Sequence, residues 1–231
     1  MTKIFQDQEV HRFLDRNSGR VYSDLEFHNC RFIGSAISVT RKPMRRSTVR
    51  NVRLVDCEVT GCSVNTAIIE NVVVDGLKTH TLLQTWGAVY NRVVLKGDIG
   101  RIMISSVVAT GLAKPKQQQA FDKANASYYQ TVGWALDISE ARFDECDIRG
   151  LPSDLIVRDP ETQVIIRREK ALEGKWRHLD LSKTYWKGWI ELFLSSGEPD
   201  VILVAPKLSP KFNDWLDGLK LLRDAGVAEP D

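Results

Sequence analysis

The sequence is poor in the features that announce a reaction. Its 231 residues include only four histidines and four cysteines. His11, His28, His80 and His178 lie in no nucleophile, zinc or phosphate motif, and neither GxGxxG nor GxxxxGKS/T occurs. Acids are plentiful, yet no pair is set apart by spacing as a catalytic couple. The RHLD segment, Arg177–Asp180, contains a His–Asp pair that reads as ordinary surface. No catalytic residue, metal or cofactor is therefore expected, and a non-enzymatic protein is the reading.

Long apolar runs are missing too. The opening MTKIFQDQEV lacks the apolar core of a signal peptide, and no run approaches membrane-spanning length. Four cysteines without a secretion signal suggest reduced thiols and a cytoplasmic protein with no membrane partner. The formal net charge is only +2, so the total implies neither a nucleic-acid binder nor an acidic DNA mimic. At 43% hydrophobic, the chain can bury one large domain, or one domain with an appendage.

What is present is a rhythm. Stepping by fives from Leu54 gives Leu54, Val59, Val64, Ile69, Val74, Thr79, Gln84, Val89, Val94, Ile99, Ile104 and Ala109; ten of the twelve are apolar. Two residues before each runs a second, smaller series that includes Val52, Cys57, Cys62, Ala67, Val72 and Leu77, with Arg92 as its clear exception. A helix repeats near 3.6 and a simple strand at 2, so neither explains a period of five. Short straight segments joined by corners do explain it, because residues two apart in a segment point the same way. The expected corners are Asp56, Gly61, Thr66, Asn71, Gly76, Thr81 and Asn91, mostly residues that tolerate tight turns. Four segments make a square turn of about twenty residues, and successive turns stack about 4.8 Å apart.

Three stretches carry the same phrase without a gap: DLEFHNCRFIG (24–34), NVRLVDCEVTG (51–61) and EARFDECDIRG (140–150). They resemble the pentapeptide-repeat family, whose pattern is roughly A(D/N)LxxCxFxG. The matching residues are Leu25, Phe27, Cys30 and Phe32; Val52, Leu54, Cys57 and Val59; Ala141, Phe143, Cys146 and Ile148. The resemblance covers roughly residues 20–40, 50–110 and 134–157, with Val or Ile often replacing the family's Leu or Phe. It implies a mainly β fold, a right-handed quadrilateral parallel β-helix of about five coils. The cysteines then occupy small inward positions as core residues rather than metal ligands.

The rhythm breaks twice. SVTRKPMRRSTVR (38–50) holds Arg41, Lys42, Arg45, Arg46 and Arg50 and no acid. It reads as an arm for nucleic acid or an acidic protein face, or as a solvated loop. AKPKQQQAFDKANASYYQTVG (113–133) carries Phe121, Tyr128 and Tyr129. It reads as a flexible loop, a short helix starting near Gln117, or a recognition lobe with aromatic anchors. After it the coil turns acidic, with Asp137, Glu140, Asp144, Glu145, Asp147, Asp154 and Asp159 against Arg142, Arg149 and Arg158.

The rhythm is expected to end near residue 160, leaving 161–231 as a Trp-rich segment. Trp186, Trp189, Ile190 and Phe193 have helical spacing; 200–205 reads as a buried strand. A second helix is expected with Ser209 as N-cap, Pro210 at its first position and Gly226 as stop, burying Phe212, Trp215 and Leu219. An exposed solenoid end needs covering, so this helical or α/β segment is expected to be a cap or a homodimer surface.

The expected function is protein binding through loops 38–50 and 113–133. The family resemblance implies a protective or immunity factor that neutralises a toxin or shields its target. Two alternatives remain: a gyrase-binding DNA mimic of the pentapeptide-repeat type, and a nucleic-acid binder using residues 41–50.

Overall fold

A computed structural model gives the fold and describes residues 1–109, 111 and 113–229. The chain opens with short strands β1 (Lys3–Gln6), β2 (Glu9–His11), β3 (Leu14–Arg16), β4 (Val21–His28), β5 (Arg31–Ile33) and β6 (Ala36–Val39). Longer strands β7 (Thr48–Thr60), β9 (Ile68–Thr79) and β11 (Val89–Ser105) alternate with the short β8 (Ser63–Asn65) and β10 (Leu83–Trp86). Helix α1 (Pro115–Tyr129) follows, then β12 (Leu136–Asp137), β13 (Ala141–Arg149) and β14 (Ile156–Val157). The remainder is β15 (Gln163–Arg167), α2 (Arg168–Leu172), α3 (Trp186–Ser195), β16 (Asp200–Val204) and α4 (Phe212–Asp224).

Strands β1 to β14 pair in parallel, each against a segment about one repeat further along. Thr48 lies against Ile68 and Ile68 against Val89, offsets of 20 and 21 residues. At one position the levels run Lys3, Leu25, Val52, Val72, Val93, Leu136, Ile156. The parallel strands thus curl into a solenoid-like sheet, and the first twenty residues belong to it as fully as the phrase-bearing ones.

Backbone handedness sets the corners. Asn51, Asp56, Gly61, Thr66, Asn71 and Gly76 all have positive φ, at the five-residue spacing. Short polar side chains and glycine are the residues that tolerate this region. At Gly76, φ is +75° and an added Cβ would stand 2.7 Å from Asp56 Oδ1 one level away. Glycine is favoured there on both counts.

The phase then slips by one residue between Thr79 and Leu83. Leu83, Thr85, Ala88, Tyr90, Val93 and Leu95 are buried, and the corners are Gly87 and Arg92 rather than Thr81 and Asn91. Arg92 is therefore an outward corner and not a flaw in the core series. A register shift between Lys96 and Ile99 restores the earlier phase, returning Ile99, Ile102 and Ile104 to the inside.

Packing along the solenoid is uneven. Near the later coils the interior is closed, with Ile99 at 0% exposure and Phe143 at 1%. Toward the first coils, inward-facing Leu25, Phe27 and Leu54 stay only half-buried around a partly open apolar cavity of about 440 Å³. The thiols pack as small hydrophobes: Cys30 donates to Phe5 O, Cys57 to Phe27 O and Cys62 to Phe32 O, each one level below.

The last residues build a second core. β15 and β16 pair antiparallel, and Ile148 of β13 meets Ile202 of β16. One face of this ribbon, Ile165, Ile202 and Val204, joins the solenoid core. The other, Val164, Ile166, Val201 and Leu203, joins a cluster with Trp176, Trp186, Phe193 and Leu219. Gly218 lets α4 approach closely, since a Cβ there would meet Trp186 Cδ1 at 2.7 Å. Helix α4 begins at Phe212 behind Lys211, two residues later than the Ser209–Pro210 signal predicts; Ser209 Oγ instead accepts from Lys211 N at 3.2 Å. Gly226 does sit past the helix end with φ +64°. No helix among the described residues is long and apolar enough to cross a membrane.

The unequal packing has a measurable consequence. Phe143→Ala should destabilise the chain by about 3–5 kcal/mol, because a closed core cannot relax around the deletion. Leu54→Ala, at the wall of an existing cavity, should cost distinctly less than the lower end of that range. Denaturant midpoints with constant slopes read the difference.

Candidate functional site

The two breaks in the rhythm meet on one side of the solenoid. The first leaves the sheet after Val39 and returns at Thr48, with a single tight turn over Pro43–Arg45. Its base is closed by hydrogen bonds: Ser38 Oγ accepts from Ser47 N at 2.9 Å, and Thr66 Oγ1 donates to Ser38 O at 2.7 Å. The second break is helical. Pro115 occupies the first turn of α1, and Gln117 Oε1 accepts the free N–H of Lys114 at 2.8 Å. The helix thus starts two residues before the Gln117 signal and runs on to Tyr129.

Arg46 joins them. Its guanidinium carbon lies 4.7 Å from the centre of the Phe121 ring on α1. One Nη2 donates to Asn125 Oδ1 at 2.5 Å and to Gly87 O at 3.4 Å. Arg46 is 7% exposed and Phe121 fully buried. Both were expected on a contact surface; both are interior, because they are spent on each other. Among the described residues no carboxylate pairs with Arg46. Burial pulls its pKa down to about 10, so it is still a cation near neutral pH, held by an amide oxygen, a carbonyl and an aromatic face.

The two tyrosines anchor the end of the helix. Tyr128 Oη donates to Glu70 Oε1 at 2.8 Å, and Tyr129 Oη accepts from Tyr90 N at 3.3 Å. Their rings meet edge to face at 5.8 Å. Burial raises both phenols well above the ordinary range, and at Tyr128 the adjacent Glu70 carboxylate adds to the rise. These half-buried aromatics fix α1 to the coil. At the other end, Gln118 Oε1 accepts from Val108 N, and Arg41 Nη2 reaches Gly111 O at 3.4 Å.

Exposed charge is left on the rim. Arg41, Lys42 and Arg45 are exposed on the first break, and Lys114, Lys116 and Lys123 on the second, against the single exposed acid Asp122. Arg50 is exposed too, but on β7, between Ser23 and Glu70 of neighbouring levels. The first turn of α1 holds no acid, so Lys114 and Lys116 add to the positive end of the helix dipole.

The acids of the coil are largely engaged with neighbours. Glu58 meets Lys78 and His80, Asp75 meets Arg53 and Lys96, and Asp98 meets Arg142. Asp147 pairs with Arg149, Asp154 with Arg167, and Asp159 with Lys207. In the C-terminal segment, Trp186, Phe193 and Leu219 are buried, and Trp189, Phe212 and Trp215 pack partly buried against them. Trp186 Nε1 donates to Trp215 O at 3.2 Å. These side chains build a core, so none of the three buried ones is available to a second copy. In the RHLD segment, Asp180 accepts from Ser182 N and Oγ, and His178 is exposed. Among the described residues no group of three or more His, Cys, Asp or Glu is placed to hold a metal ion.

Spacing within either break gave no sign of the Arg46–Asn125 contact, which spans 79 residues. Asn125→Leu should cost about 1.5–3 kcal/mol, the worth of a hydrogen bond to a charged group left unmade. Asp122→Asn, one turn away and exposed, should change stability by no more than about 0.5 kcal/mol. Paired denaturation curves distinguish them.

Comparison of the chain with protein-family models, with curated proteins and with solved structures gives no match.

Proposed function

We propose that this chain is a non-catalytic binding module that offers the basic lobe made by residues 39–47 and α1 to an acidic face of a protein partner. The observation that carries the reading is the joint at Arg46. Two segments that a solenoid would otherwise leave loose are locked together, and their remaining cations point outward. A preordered lobe loses less conformational entropy on binding than two free loops. Lysines at the uncompensated positive end of α1 cost helix stability, a cost expected where the field itself is used.

The resemblance to pentapeptide-repeat proteins supplies the biological role in this proposal: a cytoplasmic protective or immunity factor that neutralises a toxin or shields its target. It also supplies the finer geometry, a four-sided coil, for which the positive-φ corners at every fifth residue are the support. The β15–β16 ribbon and its helices serve, in the same reading, as the cap of the last coil. The gyrase-directed alternative needs an acidic, duplex-like face. The pairing of Asp75, Asp98, Asp147 and Asp159 with bases counts against it.

Nucleic acid is the second reading, favoured by the density of exposed cations at Arg41, Lys42 and Arg45. The two make different demands on salt. If those three residues neutralise phosphates of a duplex, log affinity should fall against log salt with a slope of about −3.

The test uses the full chain and Arg41→Glu/Lys42→Glu/Arg45→Glu, after both show the same unfolding midpoint. Affinity capture from a native cell extract treated with nuclease should retain one dominant protein with the parent chain and lose it with the variant. Retention by both would remove the lobe from the interface. Capture that vanishes with nuclease, together with the steep salt slope on purified duplex, would replace the protein partner by nucleic acid.

A further inference from the structure

The cavity in the early coils has a shape and a lining that the binding lobe does not use. It runs from Phe5 to Leu95 through Phe27, Leu54 and Val74, which stand one above another in register. Four level spacings make this about 19 Å long. Spread evenly over that length, its volume of about 440 Å³ corresponds to a cross-section of about 23 Å², close to that of one extended hydrocarbon chain. Val64 and Val74 stand in the cavity wall, and Val74 is smaller than Leu54 and Phe27 in the same column.

The lining gives water almost nothing to hold. Thr85 Oγ1 and Tyr90 Oη bond each other at 2.6 Å, Cys62 Sγ donates to Phe32 O, and Ser35 Oγ donates to Ile33 O. Tyr22 Oη, also in the lining, has no hydrogen-bond partner, but the wall around it is otherwise almost wholly apolar and suits an apolar guest. Volumes of this order are those of small-molecule sites. At the first level the ammonium of Lys3 stands 4.7 Å over the ring of Phe5, which lines the cavity.

We propose that the solenoid interior binds one long-chain fatty acid, its acyl chain along the coil axis and its carboxylate beside Lys3. The site is separate from the lobe, and it fails or stands independently of the protein-binding reading.

The experiment titrates delipidated full-length protein with saturated fatty acids of increasing length by displacement of a fluorescent fatty acid. Affinity should rise about fourfold per methylene and level off once the chain outgrows the channel. Val64→Phe and Val74→Phe should each weaken the best acid at least about tenfold, with the ligand-free unfolding midpoint unchanged or raised. Lys3→Glu should weaken the acid and leave the matched fatty alcohol unaffected. A lysophospholipid of the same tail that binds more tightly than the acid, with no response to Lys3→Glu, would overturn the assignment to a free acid. No binding, binding that ignores chain length, or phenylalanine variants with lowered midpoints would overturn the channel itself, the last by showing an interior already full.

Discussion

The parallel sheet depends on left-handed backbone residues that recur, from Asn51 to Gly76, at every fifth position. Each one turns the chain, and between turns only two side chains can point inward. From Asn51 to Gly76 the sequence meets this demand chiefly with Asn, Asp and Gly, for which the conformation is cheap. Arg12, Thr66 and Arg92 meet it too, at about 1–2 kcal/mol apiece for the wrong residue type. They are held because the parallel ladders above and below fix their neighbours. Corner chemistry thus sets the register, and the register sets which residues are inside.

On the outside of the coil, side chains of adjacent levels stand close together and many pair their charges. Departures from the coil are the places where new surface can arise. Here the two departures are not independent. Arg46 is buried with an amide, a carbonyl and an aromatic ring instead of a carboxylate, an arrangement that disperses its charge without adding an acid to the lobe. The rim therefore stays cationic. At the other extreme of the same fold, Leu25, Phe27 and Leu54 of the early coils stay half-buried, whereas Phe143 and Ile148 of the later ones are closed in.

Much of this was legible in the sequence, and the limits were physical. A period of five is strong because each inward pair repeats regardless of its neighbours, so the ladders, the corners from Asp56 to Gly76 and the cysteine positions could be read directly. The slip after Thr79 could not, because one inserted residue is absorbed at a corner and leaves the composition unchanged. Arg46 looked like its solvated neighbours Arg45 and Arg41, since nothing local marks an arginine whose partners lie on a helix nearly eighty residues away. Trp186, Phe193 and Leu219 were found by helical spacing, yet spacing alone does not tell a core from a dimer surface. The cavity left no mark on the pattern, because Leu25, Phe27 and Leu54 in its wall keep the five-residue rhythm as well as any buried residue does.

The most direct measurement is amide hydrogen exchange along the full chain, because the central claim is that the two departures form one rigid lobe on the coil. Amides of residues 121–129 in α1 should exchange as slowly as those of residues 72–77 in the adjacent strand, and Arg46→Met should release the helix amides while leaving the strand protected. Fast exchange throughout α1 in the parent chain, beside a protected coil, would contradict the lobe.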